Sequence, residues 1–427
     1  MSTPEAHDYV GAPKAGPARP SVPYRALRAA ASLRLTVVLF ALSMVLVFFG
    51  TLAQQHASIE TVVNDYFRSW FVMIELRLVT DFLKVFFVPD LKSDLPGKVP
   101  FPGGYAIGWV MFFNLLAAHA IRFKLTWKRS GIFLLHAGVI VLLLGEFLTG
   151  ILSVESRMMI REKESTSFAF HLNQHELAVI DPSDPGHDTV VVVPGSLIRD
   201  AADGQWISHP DLPFDVRRDQ YVVNARVRKL EPGEESPATK GLGVGRGIQS
   251  LPRSKGTDAD GRVDYPAAVL TLRDKAGAEL GTYLLPTIFE GRLQPVEAGG
   301  KKYDVTFRFK RTYKPYSVYV ESAEHKKYAG TETPKDYAST VILDDPEYGK
   351  VGPIRIWMNH PLRHRNETFY QSSMSTDDET GVKLTGLQVV ENPAWTAPYL
   401  ACILVSLGML VHFGIKLLTF LDRRGAK

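Results

Sequence analysis

Four predominantly apolar runs interrupt a chain of otherwise mixed composition. They occupy residues 34–55, 104–122, 130–153 and 394–416. Each has about the 20 residues that an α-helix needs to cross about 30 Å of hydrocarbon. The pattern therefore predicts four membrane-spanning helices, and the short basic loop at 123–129 makes the second and third a helical hairpin.

The long segment between the third and fourth runs, residues 154–393, has a different pattern. Many of its short stretches alternate apolar and polar residues, as half-buried strands do. Among them we predict separate strands over residues 303–313 and 317–322. Adjacent short strands without helical sequence between them indicate a large, mainly β domain, either a sandwich or an open barrel. The Gly-, Ser-, Pro- and charge-rich residues 231–264 are predicted to form a flexible loop within it.

The remaining segments are connections and tails. Residues 1–33 lack periodicity and are predicted to form a disordered tail, with a short basic helix over 24–33. Residues 56–103 form a connection in which 61–88 has helical propensity and mixes aromatic with charged side chains. That mixture fits a helix lying in the membrane interface, or a soluble helix packed on the β domain. Residues 417–427 are predicted to form a second tail.

The distribution of lysine and arginine predicts the orientation of the four helices. Basic residues cluster before the first run, in the loop 123–129 and after the fourth run. In a four-helix arrangement these places share one side, which the positive-inside rule assigns to the cytoplasm. Both termini are therefore predicted to be cytoplasmic and the β domain extracytoplasmic. The first run is long for a signal peptide, which favours a retained helix over a cleaved signal.

Composition excludes several other functions. The net charge of +4 is small and no basic patch is interleaved with aromatic residues, so nucleic acid is not an expected partner. The single cysteine, Cys402, lies in an apolar run. It rules out a disulfide framework, a cysteine-based metal site and dithiol exchange by this chain alone.

Three histidines lie within the apolar runs: His119, His136 and His412. In the predicted orientation all three fall in the cytoplasmic half of the bilayer. An ionisable side chain in a membrane is costly and by default suggests function, and neutral imidazole is a common axial ligand of haem iron. His136 lies about 10 Å into the third helix and is the main candidate. The other two are shallow enough to reach interfacial water, so a structural role is an alternative for them.

Glycines recur every seven residues in the third run, at Gly131, Gly138 and Gly145. Small residues on one helix face allow close approach of a second helix. At 100° per residue, His136 lies about 160° around the helix from Gly138. We therefore expect the glycine face to pack within the chain and His136 to face a partner, a cofactor or both.

Four short motifs make the chain resemble the ResB-type cytochrome c biogenesis proteins, the smaller membrane subunit of the system II cytochrome c synthetase. They are SLRLTVVLFALSMVLVFFGTLAQQ at residues 32–55, WKRSGIFLLHAGVIVLLLG at 127–145, WMNHPL at 357–362 and FYQSS at 369–373. Four spans with a large external domain between the third and fourth is also the arrangement of that family.

The resemblance implies a role in cytochrome c maturation in the bacterial inner membrane. The implied partner is a CcsA/ResC-type membrane protein with a tryptophan-rich loop. Together the two subunits carry haem b across the membrane and present it for thioether attachment to apocytochrome c. The motif match makes His136 an axial ligand of the haem iron and His119 a lesser candidate, with the second ligand supplied by the partner.

The tryptophans of this chain are scattered, so the resemblance implies a non-catalytic or co-catalytic subunit, with the catalytic centre mainly in the partner. Two other interpretations stay open. One is a b-type electron-transfer membrane subunit in which His119 and His136 ligate one haem. The other is a non-haem membrane scaffold whose external β domain binds periplasmic partners.

Overall fold

The structure is a computed structural model that describes residues 21–91, 95–122, 124, 126–255, 263–289, 291–328, 330, 334–376 and 381–425. The chain divides into a helical unit, which contains most of the long helices, and a β unit within residues 146–395 that also takes in residues 53–62. The predicted disordered tail over residues 1–20, the loop residues 256–262 and the last two residues lie outside the described part.

The helical elements follow the apolar runs. They are α1 Val22–Ala30, α2 Leu33–Ala53, α3 Ile59–Val62, α4 Arg77–Phe86, α5 Gly104–Arg122, α6 Ser130–Leu152, α7 Gly195–Asp200 and α8 Ala397–Gly425.

Four of these helices, α2, α5, α6 and α8, are long and apolar enough to cross a membrane. The four predicted membrane-spanning helices are therefore confirmed as helices, nearly at the predicted bounds. The fourth differs, because α8 continues to Gly425 and most of the predicted tail 417–427 is helical. Residues 416–424 contain no proline or glycine, so nothing in the sequence ends the helix before Gly425.

A buried amide joins α5 to the turn between α1 and α2. Asn114 is 4% exposed within the apolar α5. Its Nδ2 donates to the carbonyl oxygen of Ala30 at 2.5 Å, and its Oδ1 accepts from Thr36 Oγ1 at 2.7 Å. Because a buried amide without partners is costly, these bonds fix α5 against the start of α2.

The connection between the first two long helices contains a strand where we predicted continuous helix. Residues Phe71–Glu75 form β1, which pairs antiparallel with β2, Lys98–Pro102. The helical prediction over 61–88 is wrong in this stretch, because Val72 and Ile74 alternate with exposed neighbours and are each 4% exposed. Such alternation suits a strand with one buried face. The following α4 is helical as expected, and its placement in the membrane interface stays a prediction.

Sixteen further strands lie between α6 and α8 in chain order within the described residues. They are β3 Val154–Arg161, β4 Ser165–Asp181, β5 Thr189–Pro194, β6 Trp206–Ile207, β7 Phe214–Val222, β8 Ala225–Lys229, β9 Arg246–Ser250, β10 Ala267–Asp274, β11 Glu279–Pro286, β12 Gln294–Ala298, β13 Lys301–Lys327, β14 Pro334–Asp345, β15 Gly349–Trp357, β16 Leu362–His364, β17 Glu367–Thr376 and β18 Lys383–Glu391.

These strands form one large antiparallel sheet and two smaller ones. The large sheet runs β15-β14-β13-β4-β3-β18-β17-β16, with β12 paired to β13 and β5 to β4. A four-stranded sheet runs β11-β10-β7-β6, and β8 pairs with β9. The predicted loop 231–264 is therefore wrong over β9, whose Ile248 packs on a small buried cluster that includes Leu284.

The β unit has two hydrophobic cores. In the first, which we call the sandwich lobe, the four-stranded sheet packs on β4, β5, β12 and β13, with Phe214 and Leu270 fully buried. In the second, the barrel lobe, β3, β4 and β13–β18 surround Met158, Val318 and Phe369. Strands β14 and β17 are not neighbours in the sheet order, yet Ser339 Oγ donates to Gln371 Oε1 at 2.7 Å. The large sheet thus curls into an open barrel, so the mainly β domain is confirmed and both anticipated architectures occur in it.

Candidate functional site

The two candidate histidines contact each other across the pair of helices α5 and α6. His136 Nδ1 lies 3.1 Å from His119 Nε2. The ring centroids are 4.7 Å apart and the ring planes are nearly perpendicular, at 85°. His119 Nδ1 in turn lies 2.9 Å from the carbonyl oxygen of Leu115, one helical turn earlier in α5.

This chain of contacts assigns a tautomer to each ring. The Leu115 carbonyl can only accept, so His119 Nδ1 carries the proton that is donated to it. The Nε2 of a neutral His119 is then an acceptor, and His136 Nδ1 donates to it. In a neutral His136 the remaining nitrogen, Nε2, is then unprotonated. The relay from Leu115 through His119 therefore leaves His136 with a lone pair on Nε2, the form of imidazole that binds a metal.

The donor set fits one axial bond to a haem iron and does not fit two. A metal–imidazole nitrogen bond is about 2 Å long, so two histidines on opposite faces of one iron place their nitrogens about 4 Å apart with the porphyrin between them. Here the facing nitrogens are 3.1 Å apart and share a hydrogen bond. This arrangement does not fit a haem held between His119 and His136, as the electron-transfer interpretation requires.

The glycine face of α6 packs on α8, as the sequence indicated. Gly131, Gly138 and Gly145 are buried. A Cβ atom placed on Gly138 would lie 2.7 Å from Val405 Cγ2 and 2.9 Å from the carbonyl oxygen of Ala401, closer than atoms tolerate. The two helix backbones therefore approach closely along this face, and His136 lies on the side of α6 that meets α5.

The third membrane histidine does not join this pair. In the described part of the chain, His412 shows no hydrogen bond to either of the other two rings, and its ring contacts Phe413 at 5.5 Å between centroids. Its backbone nitrogen lies at the α6–α8 contact, where a Cβ on Gly131 would be 2.5 Å away. His412 is thus part of the helix packing.

Sequence reasoning missed two groups, one that orients His119 and one that fixes α5 against the start of α2. One is the Leu115 carbonyl, which could have been anticipated because a histidine on a helix lies over the carbonyl four residues earlier. The other is Asn114, the one amide side chain of the second apolar run, and a polar side chain in a run predicted to span a membrane was itself a signal. Among the described residues, no group of three His, Cys, Asp or Glu could hold a further metal ion.

Comparison with known proteins gives two matches. Residues 287–385 match the model of the ResB-like family, a stretch that contains the motifs at 357–362 and 369–373. The chain is also 26% identical over 301 residues to protein NrfI of Wolinella succinogenes. That alignment covers 70% of this chain and 29% of NrfI, so the chain matches less than a third of its relative's length.

The family match lies in the β unit and does not include the membrane histidines, so their role stays a prediction. It does test the resemblance, which was first drawn from four motifs spread along the chain. These comparisons confirm that this chain resembles the ResB-like proteins of cytochrome c biogenesis.

Proposed function

We propose that this chain is a membrane subunit of cytochrome c maturation that holds haem b through His136. Haem passes from the cytoplasmic side to the extracytoplasmic side and is presented there for attachment to apocytochrome c. The similarity to the ResB-like family supports the process. The observation that carries the residue assignment is the relay that leaves an unprotonated Nε2 on His136.

Each residue of the relay has a separate task. Haem bound at this site supplies an iron that accepts the Nε2 lone pair. His119 accepts the Nδ1–H hydrogen bond of His136, which fixes the orientation of that ring and raises its basicity. The Leu115 carbonyl accepts from His119 and keeps it in the required tautomer. His136 is therefore the binding residue, and His119 is a positioning residue.

In this proposal a second ligand to the haem would come from a partner. His119 cannot supply it, because its Nε2 already accepts a hydrogen bond. Between 11% and 17% of each candidate span is buried within the chain, which leaves most of the apolar helix surface available to lipid and to another membrane protein. A CcsA/ResC-type subunit is the partner that the resemblance implies.

The test is the haem spectrum of the full chain purified with its partner. We expect His136→Ala to remove most of the bound haem and to stop cytochrome c maturation. His119→Ala should weaken haem retention by about 10- to 100-fold, as loss of an outer hydrogen bond does. His119→Gln should recover part of it, because its amide oxygen can accept from His136 Nδ1.

His412→Ala is the matched control, since it removes a membrane histidine outside the relay. Equal haem content in His136→Ala and the unaltered complex would overturn the ligand assignment. Normal maturation in variants of all three membrane histidines would favour the non-haem scaffold instead.

A further inference from the structure

The β unit contains a large cavity that the proposed function does not use. Its volume is about 1480 Å³, larger than the 300–1,000 Å³ typical of small-molecule sites. One wall is a face of the large sheet, and the other consists of segments around Asn224, Leu251–Lys255, Tyr265 and Thr287. The cavity can therefore admit a ligand of considerable size.

Strand alternation explains why this face of the sheet lines a cavity. In β3, Met158 and Ile160 are buried in the barrel lobe, while Arg157 and Met159 lie on the opposite face and line the cavity. The same alternation in β4 buries Ala169 and turns the larger residues on either side of it toward the cavity. At the cavity, one face of the sheet is filled by the core of the barrel lobe and the opposite face lines the cavity.

Part of the cavity wall is aromatic. Phe170 stacks on Phe309 with 5.7 Å between ring centroids and 28° between planes. Tyr265, on the opposite wall, meets the ring of Phe309 edge-on, with 5.7 Å between the ring centroids. A surface of this kind favours a large apolar body, flat or extended.

The cavity lining also contains a cationic side chain, Arg157. The Arg157 side chain is half-buried and has no hydrogen bond or ion pair within the described part of the chain, and burial lowers the pKa of its guanidinium. Thr287, also in the lining, is 1% exposed and its Oγ1 has no hydrogen-bond partner among the described residues. The described lining residues include Arg157, Arg253 and Lys255 but no Asp or Glu. A partly desolvated guanidinium in such surroundings is complementary to a carboxylate, which it can bind through two parallel hydrogen bonds.

We propose that this cavity binds an amphipathic carboxylate, with its apolar body against Phe170, Phe309 and Tyr265 and its carboxylate on Arg157. This site is separate from the membrane relay, and the proposal goes beyond the proposed function. Two chemical sources share these properties, an aliphatic carboxylate such as a fatty acid and a flat aromatic carboxylate such as a porphyrin.

The test measures binding to the purified full chain in detergent micelles, with protein-free micelles as the baseline. The probes are oleate, methyl oleate and iron-free protoporphyrin IX. We expect saturable binding of at least one of the two acids, and at least tenfold weaker binding of methyl oleate than of oleate if oleate is the acid that binds. Binding of oleate alone identifies the aliphatic source, and binding of protoporphyrin alone identifies the aromatic one.

Arg157→Gln should weaken binding of the acid by about tenfold, the effect expected for loss of a charge-assisted hydrogen bond. Arg161→Gln is the matched control, because Arg161 is an exposed arginine on the same strand outside the cavity lining. If Arg157→Gln does not fold, the comparison of acid with ester on the unaltered protein still decides for oleate, and protoporphyrin IX dimethyl ester decides in the same way for the porphyrin.

Absence of saturable binding by both acids, or equal binding of acid and ester, would overturn the proposal. Equal binding to Arg157→Gln and the unaltered protein would do so too. Both acids lack iron, so His136→Ala should leave their binding unchanged. The two proposals can therefore fail independently.

Discussion

The pair formed by His119 and His136 shows what a single sequence can and cannot predict about a residue. Both histidines were identifiable because imidazole in an apolar run needs compensation. Their mutual hydrogen bond was not, since it depends on how two antiparallel helices pack across a distance of 17 residues in sequence. The sequence offered haem ligation by one ring or by both, and the 3.1 Å contact favours the single ligand.

His175 is a second unusual imidazole, in the sandwich lobe. Its ring lies 5.9 Å from that of Phe307 and 5.0 Å from that of Phe309. Its Nε2 is buried without a hydrogen-bond partner among the described residues. Burial, with a smaller contribution from the positive charge of Arg199, lowers the pKa of His175 from 6.5 to about 4.

We predict that His175 makes the protein less stable as the pH falls from about 6.5 toward 4. In that range the unfolded chain binds a proton at His175 and the folded protein does not. The free energy of unfolding therefore falls by at most about 1.4 kcal/mol for each pH unit of acidification. His175→Phe removes the titrating group and should flatten the dependence of melting temperature on pH between 7 and 4.5. His209→Phe, at an exposed histidine, should leave that dependence as it was. The same slope in both variants would contradict this prediction.

At the scale of elements, helices were predicted more reliably than strands. The four long helices follow from uninterrupted apolar runs, and the seven-residue spacing of glycines correctly indicated the packed face of α6. Strand β1 was missed because its side chains also suit an amphipathic helix, and only pairing with β2 decides between the two.

Strand β13 shows why strand bounds were harder to predict. We expected two strands, over 303–313 and 317–322, and Pro315 lies between them. The structure has one strand from Lys301 to Lys327, with a register shift between Tyr313 and Val318. Proline lacks an N–H group, and a bulge is a place where the ladder does not need one. Nothing in the local sequence shows that the strand continues beyond Pro315.

The α6–α8 contact yields a prediction with an internal control. Gly138→Ala places a methyl group 2.7 Å from Val405 Cγ2, so we expect a loss of about 1–3 kcal/mol in stability from overpacking. Gly108→Ala is the control, because a Cβ at Gly108 of α5 has no heavy atom within 4 Å in the structure. It should be neutral or slightly stabilising, since alanine favours a helix more than glycine does.

Both variants are compared by the melting temperature of the full chain in the same detergent. A similar melting temperature for Gly138→Ala and Gly108→Ala would show that α6 and α8 do not pack through the glycine face.

At the scale of the whole molecule, the distribution of charge predicts which side of the membrane each segment occupies. The structure shows helices of sufficient length and apolarity, and orientation follows from lysine and arginine alone. The family match falls on residues 287–385, in the β unit, whereas the candidate haem ligands lie in the helices. The match therefore does not test them. The four apolar helices, the mainly β domain and the resemblance to the ResB-like family were thus accessible from sequence. The cavity was not, because its walls come from segments distant in the chain.

Orientation can be tested with single cysteines. In a Cys402→Ser background, Asp188→Cys should react with a membrane-impermeant thiol reagent added outside intact spheroplasts, whereas Lys128→Cys should react only after the membrane is opened. Both positions are exposed to solvent in the structure, so accessibility within the protein does not bias the comparison. The reverse pattern would place the β domain in the cytoplasm.

Strands β4 and β13, of 17 and 27 residues, each contribute to both the sandwich lobe and the barrel lobe. Neither lobe can lose its share of these strands without disturbing the hydrogen bonds that the other requires. A region long enough for two independently folding domains is therefore expected to open as one cooperative unit. Backbone amides on the two sides of the shared strands should exchange with solvent at similar, slow rates.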